Sequence, residues 1–560
     1  MIREDAATMR ARALAAANAG NKVEASRIFA RATAIFPDNP ALLNSAGHFF
    51  SGNDQLDLAL SAFDRALALN PRYEEALLNR AVTLSKLGRD KEALSGLQQA
   101  ASWLGKSARY WSVRASAETR LGDRDAAARS HDKGLAVEPG NPGALHGRAR
   151  VALERGEPDM VSRFQKLLSI DNRDPHAWLG FAQALDYAGR TNEARQTAEM
   201  LVQQVPGWVD ALEFLAQLRW IAGERDRFCD HYEAAVRQFP NSSDIIFSWC
   251  RTLSGVDQFQ QAAAVAARAR AAMPGDPMLL LQDAIYSGEA GDDRRAEEIF
   301  ASLRLDTPDR WLQEARHRLR MRQPEVADTL LERVISARPG IVSPWALRDL
   351  AWRMMGDSRS HWLHGQEGLI QKQSLGLGTS DLSAVIELLD HMHDGSGMPT
   401  GQSVRDGSQT RGGLFDRMEP EIRNLRAAIE EAMERYRAAL PPADPSHPLL
   451  NRRDSGWTIR GSWSIRMFAS GRHTEHIHPQ GLLSSAAYLV LPPDTGEDGA
   501  GCLELGRSPP DLRIGLPPVT TIVPEEGFCA LFPSTLYHGT RTFHSGKRMT
   551  VAFDVVALDG

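Results

Sequence analysis

Four residues near the C-terminal end of this 560-residue chain have types and spacing that could do chemistry. They are His476 and His478 in His476-Ile477-His478-Pro479, His538 sixty residues past His478, and Arg548 ten residues beyond that. Imidazole nitrogens ligate metals, and three of them on one side of an ion leave its other positions free, which separates a catalytic metal site from a structural one. An H-x-H pair can do this on a β-strand, where residues two apart point the same way. A guanidinium nearby offers a planar fork that bonds a carboxylate through two parallel hydrogen bonds. The set suggests a mononuclear iron site with a carboxylate clamp beside it.

Two other spacings compete. His473 and Glu475 form an H-x-E just upstream. On a regular strand His473, Glu475 and Ile477 share one face, and Thr474, His476 and His478 the other, so the two candidate pairs exclude each other. An isoleucine packs better against a core than beside a hydrated ion, so its face is expected to be the outer, helix-covered one. That turns His476 and His478 inward with His538 and leaves His473 and Glu475 near the strand's entrance, lining a substrate mouth. The second competitor, His391-Met392-His393, lies at the end of a helical stretch. There, residues two apart sit about 200° apart around the axis and cannot share a metal.

The elements that must hold these residues follow from the hydrophobic pattern. From Trp457 onward, 462–468, 482–491, 502–505, 528–532 and 548–556 are short, apolar or alternating, and bounded by Gly, Pro and Asp. Strands so spaced, with no helices between them, suggest a sandwich or barrel with the candidate ligands on its rim. Before them come a helical pattern over 419–440 and a Gly/Ser-rich run over 395–413, whose composition alone reads as flexible linker.

The first two-thirds differ. Prolines recur at 37, 71, 139, 206, 240, 274 and 308, glycines at 88, 122, 156, 189, 223 and 291, and alanines at 59, 93, 127, 194, 262 and 296. A 34-residue period of paired helices resembles the tetratricopeptide (TPR) repeat, in which small residues let two helices approach and proline ends the second. About nine to ten repeats are expected over 6–357, several of them degenerate, with Gly105 where proline is expected and Phe228 in place of a small alanine. Such arrays build a concave groove for a protein or peptide.

Bulk properties narrow the rest. The length implies several domain-sized units, and a net charge of -6 gives no reason to expect nucleic acid or anionic membrane as a partner. No apolar run is long enough for a membrane span. The N-terminus lacks the apolar core of a signal peptide, and the four scattered cysteines form no CxxC pair, so a reducing, cytoplasmic setting is expected.

The ordered motifs HIHP, LLSSAAYL, PEEGFCALFPSTLYHGT and GKRMTVAFDV, with GQSVRDGSQT upstream, resemble a double-stranded β-helix 2-oxoglutarate/Fe(II)-dependent oxygenase. They resemble more narrowly an oxygenase family found behind bacterial TPR arrays. The resemblance covers 358–560 and argues against reading GQSVRDGSQT as linker. It implies Fe(II) held by His476, His478 and His538. It further implies 2-oxoglutarate gripped by Arg548, with hydroxyls from Thr550 and Tyr488, while Met549, Val551 and Phe553 anchor the opposite face of their strand. The superfamily usually has H-x-D or H-x-E, whereas H-x-H makes an all-imidazole set that donates no negative charge. The expected architecture is an α-helical TPR solenoid followed by a jelly-roll-like double-stranded β-helix with supporting helices. The expected activity is O2- and 2-oxoglutarate-dependent hydroxylation of a protein or peptide brought by the array. Its rivals are a non-enzymatic TPR adaptor with a degenerate barrel, and an oxygenase acting on a small molecule or glycan.

Overall fold

The structure, a computed structural model, describes residues 5–394, 396–397 and 400–558. Residues 1–4, where a leader was sought, Gly395 at the head of the Gly/Ser run, and the last two residues of the 358–560 span lie outside the described residues. The chain divides into two compact units, Met1–Gly180 and Phe181–Gly560.

Among the described residues, ten helix pairs run from Ala6–Asn18 and Lys22–Ile35 to Pro308–Arg320 and Pro324–Ala337, and a further helix, Ser343–Met355, follows them. The periodic alanines are fully or almost fully buried where the two helices of a pair meet. The periodic glycines have a different task from the close approach expected of them. Gly88, Gly122, Gly156, Gly189, Gly223 and Gly291 follow the first helix of their pairs with φ between +64° and +94°, a turn conformation that side chains resist. Close approach falls instead to glycines inside helices: a Cβ on Gly47 would lie 2.6 Å from the Phe63 ring. At Phe228 the phenyl is buried edge-on against Trp220, and the helix after it shrinks to Asp230–Gln238. Pro308 opens a helix and does not close one.

Among the described residues, nine strands form one curled antiparallel sheet, all within the second unit. They are β1 (Gln371–Ser374), β2 (Val404–Gln409), β3 (Trp457–His476), β4 (Leu483–Val490), β5 (Leu503–Leu505), β6 (Thr520–Ile522), β7 (Phe528–Pro533), β8 (His538–Thr540) and β9 (Lys547–Ala557). Their order is β1-β7-β4-β9-β3-β8-β5-β6, with β2 added to β3. The fold is thus a helical TPR solenoid followed by a jelly-roll-like β-domain. The Gly/Ser-rich run holds β2, paired with β3 from Val404↔His473 to Gln409↔Ile465.

Period-two alternation on β9 builds both the core and the cavity. Met549, Val551, Phe553 and Val555 turn outward onto helices Thr379–Asp394 and Pro420–Ala438, packing with Val385, Leu389, Ile422, Leu425 and Ile429. Full burial of each such side chain is worth roughly 1.5–3 kcal/mol, enough to fix the strand's register. Arg548, Thr550, Ala552 and Asp554, the other parity, line a cavity inside the curled sheet. Within the same unit the last array helices cover the 506–517 segment. Leu512 and Ile514 pack among Ala315, Leu319, Leu347 and Leu350, and Arg322 donates to Ile514 O (2.9 Å). No helix among the described residues is long and apolar enough to cross a membrane.

Candidate metal and cosubstrate site

The end of β3 and the start of β8 run antiparallel, with His476 directly opposite His538, and His478 follows just past the end of β3. One ligand nitrogen from each of His476, His478 and His538 lies within 4.8 Å of the other two. The Nε2 atoms of His476 and His478 are 3.2 Å apart. Two nitrogens held at right angles about 2.1 Å from one ion would be about 3 Å apart, so the spacing suits a shared metal.

Hydrogen-bond partners assign the tautomers. His476 Nδ1 donates to Thr474 O (2.9 Å), His538 Nδ1 to Leu536 O (3.1 Å), and His478 Nδ1 to the Asp554 carboxylate. With Nδ1 so engaged, each ring in its neutral form offers its Nε2 lone pair to the cluster. Two such lone pairs 3.2 Å apart repel unless a cation lies between them. Burial, with His478 adding to it, pushes His476 down to about 3, and burial with His476 and His478 holds His538 well below the usual range. Both rings are neutral at neutral pH and so able to ligate a metal. The carboxylate missing from this all-imidazole set appears one step out, as Asp554 on His478. Phe532 packs edge-on against the His538 ring (centroids 4.8 Å) and Trp463 lies 5.5 Å from that of His478.

The strand is not regular here. The pairing of β3 with β8 shifts between His473↔Thr540 and His476↔His538, a β-bulge that places three steps on one strand against two on the other. The expectation that His473 shares Glu475's face and is turned away from His476 is therefore corrected. His473 lies on the cavity wall with its ring stacked 5.8 Å from His476 at 18°. Glu475 does not line that cavity; its carboxylate faces Arg507 (3.7 Å), which is held by Glu504. Of the pair expected at a substrate mouth, only His473 is on the cavity wall. Ile477 packs against the last array helices, and its edge also borders the cavity.

The cavity is about 260 Å³. Arg548, 1% exposed, reaches it from β9, and its Nε and Nη2 have no hydrogen-bond partner. Its guanidinium lies 5.4 Å over the Tyr488 ring, whose buried hydroxyl is also unpartnered. Burial lowers the guanidinium's proton affinity, and an uncompensated buried cation is costly, so an anion brought here gains both charge and hydrogen bonds. Thr550 lines the same cavity one period from Arg548, and Gln409 presents an unpartnered Oε1 from β2. Three inward lone pairs beside an orphaned guanidinium fit Fe(II) and 2-oxoglutarate as neighbours.

Sequence reasoning missed Asp554, Ser403, Trp463 and Gln409. Asp554 could have been found, because it has Arg548's parity on β9. Ser403 and Gln409 reach the cavity only because β2 pairs with β3.

Residues 461–554 match the family model described as "Putative 2OG-Fe(II) oxygenase", and residues 52–117 and 179–243 match two tetratricopeptide-repeat models. Solved TPR structures are similar to parts of the chain. A tetratricopeptide repeat protein from Parabacteroides merdae is 20% identical, covering 44% of this chain and 97% of its own, with a TM-score of 0.35. A thermophilic TPR protein from Thermus thermophilus is 21% identical over 34% and 98%, TM-score 0.28. Pseudomonas aeruginosa pilF is 18% identical over 38% and 96%, TM-score 0.33. The chain thus joins TPR repeats to a C-terminal domain of that oxygenase family.

Proposed function

We propose that this protein is a 2-oxoglutarate- and Fe(II)-dependent hydroxylase whose TPR array, 6–357, recruits a protein or peptide to an oxygenase domain spanning 358–560. The observation that carries the reading is the convergence of three imidazole nitrogens within 4.8 Å of one another beside a buried guanidinium whose Nε and Nη2 have no partner. His476, His478 and His538 hold the metal in this reading. Asp554 keeps His478 in its ligand tautomer. Arg548, with Thr550 and Tyr488, grips the distal carboxylate of 2-oxoglutarate and so orients its keto acid toward the histidines. The iron supplies the oxidation, in which O2 divides between the hydroxylated substrate and the succinate left when 2-oxoglutarate loses CO2. The protein's own work is geometry and exclusion of bulk water.

Succinate release by the anaerobically Fe(II)-loaded protein, started with O2 and 2-oxoglutarate, tests the reading. Turnover is expected from the wild type, with stimulation by a proteome-derived peptide pool, and neither from His478→Ala. Equal succinate from the wild type and His478→Ala would refute it.

A further inference from the structure

One wall of the cavity is held from outside the β-domain. Gly401, Gln402, Ser403 and Val404 are consecutive cavity-lining residues. Gly401 N–H donates to Gly255 O (3.0 Å), and Arg405 forms a two-pronged pair with Asp257, Nε to Oδ2 and Nη2 to Oδ1, both 2.9 Å. Gly255 and Asp257 belong to the turn between Ser243–Ser254 and Phe259–Ala272, the eighth helix pair of the array. The two backbones nearly touch: a Cβ on Gly255 would lie 2.8 Å from Gly401 Cα. Gly255 has φ -63° and ψ -8°, which any residue adopts, so its own backbone does not demand glycine; the contact with Gly401 does. Asp257, more than half exposed, makes an ion pair of a kind that adds little stability, so its contribution is the fixed geometry of a bidentate contact.

At the other end of this strap, Ser403 O accepts from Thr474 N–H (3.0 Å) and Thr474 Oγ1–H (3.1 Å), within the bulged stretch of β3. Between the two anchors, Ser403 Oγ lies 3.2 Å from His473 Nδ1 and 3.3 Å from His476 Nε2. His476 Nε2 is also the nitrogen 3.2 Å from His478 Nε2, so the serine hydroxyl lies beside the histidine cluster.

We infer that the turn of the eighth helix pair is a positioning element for the active site. Gly255 and Asp257 hold the Gly401–Arg405 strap, and with it Ser403, against the histidine cluster, so the array sets one wall of the site it serves. A protein bound along the array and the chemistry at the histidines are then linked through one short segment. The inference rests on the metal reading above for the meaning of that wall, and on the contacts alone for the link itself.

The test uses the full chain and two array variants, Gly255→Ala and Asp257→Asn; asparagine tolerates the left-handed φ of +65° at this position. Hydrogen exchange at the Gly401 and Thr474 amides is expected to quicken at least tenfold in both variants, with the 548–554 segment unchanged. With Co(II) alone as the metal probe, the visible bands of both variants are expected to shift although no ligand has been altered. Wild-type exchange and an unshifted Co(II) spectrum in Asp257→Asn, or in a folded Gly255→Ala, would overturn the inference. Should the wild type take up no Co(II), the metal reading falls, and the exchange rates still decide whether the turn holds the strap.

Discussion

The chain carries two H-x-H tripeptides in its C-terminal third, and they end in opposite chemical states. His391 and His393 lie in the last turn of Thr379–Asp394, where His391 is exposed. His393 is buried between Ser408 Oγ (2.9 Å) and Ser464 Oγ (3.0 Å), so both its nitrogens are satisfied. At His476 and His478 the Nδ1 of each ring is satisfied, and the two Nε2 atoms face each other 3.2 Å apart, with Ser403 Oγ 3.3 Å from that of His476. The same spacing gives a packing histidine on a helix and a candidate ligand pair at a strand end. Whether the second nitrogens of the two rings converge on each other is what separates the two.

Substitutions on both sides of this contrast test it. The largest effect is expected from His538→Ala, which removes one of three ligands; iron affinity should fall by more than about 100-fold, a loss beyond the range typical of outer-shell changes. His393→Ala should still bind one iron per chain under the same anaerobic titration. Asp554→Asn leaves the ligands intact and removes the charge that orients His478, so metal affinity is expected to drop by about 10–100-fold, with Asp554→Glu recovering part of it. Arg548→Ala should weaken 2-oxoglutarate by about 1.5–3 kcal/mol, read by calorimetry on the metal-loaded protein, with iron content unchanged.

The smallest effect concerns His393 and pH. Burial, with Arg466 adding to it, pushes its pKa down to about 4 from an ordinary 6.5. The fold holds the neutral ring while the unfolded chain takes the proton, so this histidine's contribution is complete above about pH 6.5 and is lost as pH falls toward 4. At pH 7.5, His393→Gln should cost about 1–3 kcal/mol in urea unfolding, and the gap to wild type should narrow at pH 5. His391→Ala should change stability by less than about 0.5 kcal/mol at either pH.

Much of this was legible in the sequence, because the governing signals are local. The 34-residue beat needs only neighbouring helices to have meaning, and the alternation of Arg548 and Thr550 against Met549, Val551 and Phe553 needs only one strand. What escaped depends on partners far along the chain. The bulge between His473 and His476 exists because β8 pairs there, and β8 itself, three residues long, is too short to show a period. β2 hides in a run rich in glycine and serine because β3 supplies its hydrogen bonds. Glycine periodicity was visible, and its cause, a positive φ in the turn after each first helix, becomes plain once the helix ends are placed.

The most direct measurement is iron content after anaerobic Fe(II) loading of His478→Ala and Glu475→Ala side by side. Glu475→Ala is expected to retain wild-type iron, because the Glu475 carboxylate faces Arg507, and His478→Ala to lose most of it. Iron lost from the glutamate variant and kept by the histidine variant would contradict the assignment of the three imidazoles.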